Sequence, residues 1–293
     1  MQRRHFLTTT AAAVPFAAFA AKRSEPAGTT RGGLLTGKVA VIYGAAGAVG
    51  SAVSRVFAQE GAHVILSGRT PNTLETLAQQ IVAAGGTASP VAVDALDGAA
   101  VNGHLDDIVK RTGRIDITFN LIGLGGNQGT SLAAMDAPAF FQPIDTAVRT
   151  HFLTATAAAR HMASRRSGVI LALTAQVARK PYFGSGGFGV ACAAIEGLCR
   201  QLAADLGPDG IRVVALRSSG SPDAPGVAGA IGEHAKAAGI SREAFEARIA
   251  EKTLLKRMPL LAEVANAAAL VASDRASAIT AAVTNVTCGE IAD

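Results

Sequence analysis

The residues with the clearest chemical meaning in this chain are three glycines. Tyr43-Gly44-Ala45-Ala46-Gly47-Ala48-Val49-Gly50 closes an apolar run at 39–43 and opens an alanine-rich helical stretch. Glycine lets a strand turn sharply into a helix and lets backbone N–H groups approach a pyrophosphate, while the helix N-terminus adds partial positive charge there. Gly44, Gly47 and Gly50 therefore read as a nucleotide cradle. Other chemistry-bearing types are sparse. The three cysteines, at 192, 199 and 288, have no metal-ligand spacing, and no metal is expected. Cys192 and Cys199 would stand two turns apart on one helix, roughly 10 Å at 1.5 Å per residue, too far for a disulfide.

Such a cradle needs a strand beneath it and a helix behind it, and the rest of the chain supplies them repeatedly. Apolar runs at 39–43, 63–67, 89–94, 115–123, 169–174 and 211–216 read as strands. Between them lie helical stretches: one ending at Glu60, one over 74–83, one ending at Val109, then 143–163 and 188–206. Unbroken apolar strands alternating with helices indicate a parallel sheet covered on both faces. The expected fold is α/β, a single-domain doubly wound parallel sheet of Rossmann type, with ligands bound beyond the carboxyl ends of the strands. Residues 221–260 are expected to form a lid over the substrate, with a helix near 242–251. The 293 residues suffice for one such domain, and the absence of tryptophan with abundant glycine suits close helix–sheet packing.

The N-terminus reads as an address. Residues 1–21 carry Arg3-Arg4, then His5-Phe6-Leu7, a weakly apolar stretch, and Ala18-Phe19-Ala20 before Ala21. This resembles a twin-arginine export signal with its cleavage site, implying a periplasmic or exported protein, or a cytoplasmic one if the signal is not processed. The apolar part is too short to span a bilayer. Residues 22–35 read as a linker and 36–293 as the domain. The formal charge is +5, and removing Arg3 and Arg4 leaves +3 with no basic stripe, so no nucleic-acid partner is expected.

From about residue 36 onward the chain resembles the short-chain dehydrogenase/reductase family. That family's loop reads Thr-Gly-x-x-x-Gly-x-Gly; here Tyr43 replaces the threonine, Ala48 the middle glycine, and Gly47 comes one residue early. A phenol at 43 and a methyl at 48 are expected to crowd the pyrophosphate. The resemblance implies NADP(H) in preference to NAD(H). Gly68 offers no carboxylate for a ribose 2′-hydroxyl, whereas Arg69 suits a 2′-phosphate. It also implies adenine contact by Asp94, and a place near the cofactor for Asn120 and Gly123, within Asn120-Leu121-Ile122-Gly123. It further implies a small apolar substrate, and a homodimer or homotetramer built on the helices at 143–163 and 188–206.

The family's proton-handling groups are an Asn, a Ser, a Tyr and a Lys, and all four positions are changed. Ala193-Ala194-Ile195-Glu196-Gly197-Leu198, Gly168 to Thr174 and Phe152-Leu153 fix the register. They place Ala147, Ala175, Phe188 and Cys192 where the Asn, Ser, Tyr and Lys belong, and Ser218-Ser219 where a Pro-Gly contacts nicotinamide. The longer Tyr-to-Lys spacing of enoyl reductases fails too, since its tyrosine would be Ser185. Hydride transfer to a carbonyl leaves an alkoxide that must receive a proton, so substitutes matter. Tyr182, with Lys180 two residues earlier on the same side of an extended loop, is one candidate. His151, one turn beyond Ala147 and expected to face the cleft, is another. Cys192 has no evident cation to make it a nucleophile. The sequence thus reads as an NADP(H)-binding protein of oxidoreductase ancestry without the usual carbonyl/alcohol turnover. An active enzyme with relocated acid/base groups, and a scaffold that binds no dinucleotide, are the alternatives.

Overall fold

The computed structural model describes residues 32–126 and 128–293. The export-signal reading of 1–21 and most of the linker lie outside the described residues. The last residues of that linker already belong to the fold: Leu35 is fully buried and its N–H donates to Glu60 O at 2.9 Å.

A seven-stranded, wholly parallel sheet runs in the order β3-β2-β1-β4-β5-β6-β7. Its strands are β1 (Val39–Tyr43), β2 (His63–Gly68), β3 (Thr87–Ala92), β4 (Ile117–Asn120), β5 (Gly168–Ala175), β6 (Ile211–Ser218) and β7 (Ala282–Val286). Eight α-helices accompany them among the described residues: α1 (Ala48–Gln59), α2 (Pro71–Ala83), α3 (Gly98–Thr112), α4 (Ala137–Ala163), α5 (Gly186–Leu206), α6 (Pro225–Ala237), α7 (Arg242–Lys252) and α8 (Leu261–Ala272). The doubly wound expectation is met.

Strand alternation sorts the core into two layers. Val39, Val41 and Tyr43 of β1 pack with Ile170, Val213 and residues of α3, α4 and α5. Ala40 and Ile42 face the other way, with Phe57, Leu74 and Ala265 of α1, α2 and α8. Each fully buried Val, Leu or Ile side chain stabilises the fold by about 1.5–3 kcal/mol. The strand order reverses between β1 and β4, and the crevice beyond their carboxyl ends is where such sheets take ligands.

Boundaries differ from expectation where special residues intervene. β3 lies at 87–92, not 89–94, because its pairing with β2 begins at Thr87; as an edge strand it tolerates Pro90. β4 is shorter than the apolar run 115–123. α4 begins at Ala137, not 143: Asp136 caps it by accepting from Ala139 N at 2.7 Å, and Pro138 suits the first turn. Pro143 therefore lies inside this helix. The segment 221–260 holds α7 as expected and also α6, whose glycine-rich sequence hid it.

Candidate functional site: a dinucleotide cradle beside an altered cleft

The turn after β1 is made by backbone. Gly44 adopts φ +73°, and a Cβ there would lie 2.6 Å from Leu121 O, so this position demands glycine twice over. Gly44 N and Ala45 N both donate to Ser67 O, at 2.9 and 3.2 Å, tying the turn to the end of β2. Gly50 lets α1 press onto the turn, since a Cβ would meet Gly44 O at 2.2 Å. Gly47 is exposed with φ −68°, and a Cβ there would stand 3.2 Å from the same oxygen. The N–H groups of Ala48, Val49 and Gly50 have no backbone acceptor among the described residues. They point the positive end of α1 at the crevice, as anion binding requires.

Tyr43 does not crowd this loop. Its ring is buried in the core layer toward α3, edge-on to His104 at 6.0 Å, and its hydroxyl has no partner among the described residues. Burial pushes the phenol well above the usual tyrosine range. Beneath it Ser67 Oγ meets His104 Nε2 at 2.9 Å.

Around the cradle, Arg69 is exposed just past β2, and Asp94 is exposed just past β3, its carboxylate accepting from Leu96 N at 3.0 Å. Gly123 is exposed beyond β4. Asn120 is different. Its amide donates to Thr150 and Thr154 Oγ1 at 3.2 and 3.4 Å and accepts from Ile122 N at 3.1 Å. That side chain is buried and spent on joining β4 to α4, so it shapes the crevice without reaching into it. The N–H array, glycine clearance and flanking Arg69 fit a nicotinamide dinucleotide, which would bring hydride transfer to the cleft beside it.

The cleft is chemically quiet. Ala147 is fully buried on α4, Ala175 ends β5, and Phe188 is half-buried against the core at the start of α5. Cys192, one turn later, is buried; burial pushes its thiol up to about 11, with Glu196 adding to the rise and hydrogen bonds opposing it. Beneath lies a buried ion network. Arg217 reaches both carboxylate oxygens of Glu196 at 2.9 Å and Asp293 Oδ1 at 2.5 Å. These hydrogen bonds hold the guanidinium firmly charged. Ser218 Oγ, across from Ala175, is buried without a partner among the described residues.

Of the substitutes read from sequence, His151 does not face the cleft. It is buried, its Nδ1 bonded to Ala147 O at 2.8 Å, and it lines a void of about 10 Å³ with Thr118, Asn120 and Cys199. Burial lowers it to about 4. The sequence reading failed because the side of α4 that carries Ala147 and His151 is packed between the sheet and α5. Lys180 and Tyr182 do not act together: Lys180 pairs with Glu290 at 3.6 Å, while the Tyr182 ring packs on His234 at 5.2 Å. The structure adds Gln128, His234, Arg217 and Glu290 to this region. No spacing signal could have found them, since they come from four separate segments.

A parallel sheet with a glycine turn at its switch point defines a dinucleotide-binding α/β protein of the oxidoreductase type. The chain belongs to the short-chain dehydrogenase/reductase family. A family profile described as "Enoyl-(Acyl carrier protein) reductase" matches residues 44–290. Short chain aldehyde dehydrogenase 1 of Euphorbia lathyris is 30% identical over 243 residues, covering 83% of this chain and 84% of that one. The fold is shared with an NAD+-bound xylitol dehydrogenase (TM-score 0.82, 23% identity, 87% of this chain and 99% of that one). It is shared also with an actinorhodin polyketide ketoreductase holding NADPH (TM-score 0.80, 22% identity, 86% and 97%). Both cofactor types thus occur on this fold.

Proposed function

We propose that this protein binds NADP(H) in the cradle after β1 and does not carry out the family's usual carbonyl/alcohol turnover. The observation that carries this is the pairing of an intact backbone cradle with Ala147, Ala175, Phe188 and Cys192 at the positions where the family keeps its proton-transfer groups. Arg69 supports the NADP(H) preference: it is exposed past β2, and the neighbouring Gly68 presents no carboxylate. Exposed Val148, Phe152 and Val190 on α4 and α5 support a homo-oligomer formed through those helices. Arg3-Arg4 supports export by a twin-arginine route, which suits a protein folded around its nucleotide beforehand. No helix among the described residues is long and apolar enough to cross a membrane.

The test is a fluorescence titration with NADPH and NADH, run beside turnover assays on acetone with NADPH and propan-2-ol with NADP+. NADPH binding tighter than NADH, weakened about tenfold by Arg69→Ala (roughly 1.4 kcal/mol), is expected, with turnover no faster than a denatured control. Robust acetone reduction would refute the reading. A second reading, an oxidoreductase with its donor elsewhere, is favoured by one group, Tyr182, whose ring packs on His234 and whose hydroxyl has no hydrogen-bond partner among the described residues.

A further inference from the structure

The amino end of the sheet, opposite the crevice, holds a cavity of about 190 Å³. It lies between the starts of β1, β4, β5 and β6 and the end of α8. Ile117 of β4 and Val169 of β5 line it, both buried in the core layer that α8 covers. Four charged residues line it too: Lys38, Asp116, Arg212 and Asp274. An apolar cavity of about 150 Å³ takes up benzene. This space therefore suits a small organic molecule rather than a lone ion.

The charges are not balanced within the cavity. Asp116 is buried and already answered: it accepts from Val39 N at 2.9 Å, from Arg114 Nε at 2.6 Å and from Arg165 Nη1 at 3.4 Å. Lys38 and Arg212 are left with one carboxylate between them, that of Asp274. Lys38 Nζ meets Asp274 Oδ1 at 2.9 Å, yet the Asp274 side chain is 83% exposed. Arg212 forms no ion pair among the described residues. Its guanidinium donates instead to Ile279 O at 3.0 Å, Val271 O at 2.9 Å and Ser273 O at 3.1 Å. A guanidinium carries five N–H donors, so two remain unspent. Burial pulls Arg212 below the usual arginine range, and the Asp274 charge opposes this.

We propose that this cavity binds a small organic acid, its carboxylate held by Lys38 and Arg212 and its apolar body lying on Ile117 and Val169. Asp274 holds the place of that carboxylate in the empty cavity and swings into solvent when the ligand enters. A carboxylate suits both cations, since ammonium and guanidinium each make short charge-assisted hydrogen bonds to it. A second charge on the ligand finds no further cation to meet, because Arg114 and Arg165 are engaged by Asp116. The site is separate from the dinucleotide cradle, which lies at the other end of β1. An occupant touches the starts of four strands and the end of α8, so its binding stabilises the fold by mass action.

The full chain is titrated with benzoate by isothermal calorimetry and by thermal melts. Benzamide and benzamidine serve as neutral and cationic molecules of the same shape. Benzoate is expected to bind and to raise the melting temperature, and the other two are not. Asp274→Asn removes the competing carboxylate and should tighten benzoate about threefold, the worth of an exposed ion pair. Lys38→Gln should weaken it about tenfold, as for a lost hydrogen bond to a charged group. Arg69→Ala, at the cradle, should leave benzoate affinity unchanged. If Lys38 and Arg212 serve the fold alone, Asp274→Asn lowers the melting temperature and benzoate does not bind. That result, benzamidine binding as tightly as benzoate, or a benzoate affinity unmoved by Asp274→Asn would overturn the proposal. Should Lys38→Gln fail to fold, Asp274→Asn, changed at an exposed side chain, decides it.

Discussion

The cradle after β1 and the cleft beyond β5 lie on one sheet but are built from different material. The turn after β1 is backbone: Gly44 and Gly50 make room, and the N–H groups that open α1 have no backbone acceptor among the described residues. A side chain added at either glycine collides with carbonyl oxygen, so the sequence there is held by sterics. The cleft is built of side chains on helices and strands that pack equally well with an alanine, a phenylalanine or a cysteine. Ala147 and Cys192 fit a dense core without disturbing it. Chemistry carried by side chains is thus exchangeable without loss of fold, whereas chemistry carried by backbone geometry is not.

The cleft half depends on the Arg217–Glu196 pair, in which both partners are buried. A buried pair adds little net stability over apolar residues, but removing one partner costs up to about 3–5 kcal/mol, reduced for Glu196 by the carboxylate of Asp293 that Arg217 keeps. Urea denaturation of Glu196→Ala should show that loss, and Glu196→Leu combined with Arg217→Met should recover most of it. If Glu196→Ala unfolds at the wild-type midpoint, the network is not what holds this half.

Acid should stress both halves alike. His104 behind the cradle and His151 behind the cleft are each held near 4, chiefly by burial; Arg111 adds to the lowering at His104, and the Ala147 carbonyl opposes it at His151. A base with a depressed folded pKa takes its proton more readily when unfolded. Stability is therefore full above about pH 6.5 and falls as pH drops toward 4, by about 3 kcal/mol per histidine at the lower end. His104→Asn and His151→Asn should each flatten the slope of unfolding free energy between pH 6.5 and 4. An unchanged slope in both variants would locate the acid sensitivity elsewhere.

The smallest effects separate the glycines of the cradle. Gly50→Ala forces a methyl against Gly44 O and should cost about 1–3 kcal/mol, with NADPH binding weakened as the turn shifts. Gly47→Ala, exposed and at ordinary φ, should stay within about 0.5 kcal/mol. Thermal melts and NADPH titration of the two variants decide this; equal losses would mean that the spacing, not the clearance, matters.

Much of this was legible in the chain itself. Runs such as 39–43 and 213–216 are buried on both faces, so continuous apolarity marks them as inner strands of a parallel sheet. The edges were harder: β3 and β7 are half-exposed, and their polar residues blur the pattern. α6 was hidden because glycine and alanine carry little amphipathic signal. Within the site, the glycine turn could be read from local order alone.

Sequence by itself therefore determined the sheet and the glycine turn after β1, because each depends on residues close together in the chain. Tertiary structure alone decided which way His151, Asn120 and Tyr43 point, since a helix or strand face is covered by partners that are distant in sequence. It likewise brought Tyr182, His234, Gln128 and Glu290 to one place. Loops after β4 and β5, the lid and the final turn converge only when the sheet has closed its register, and no spacing along the chain encodes that meeting.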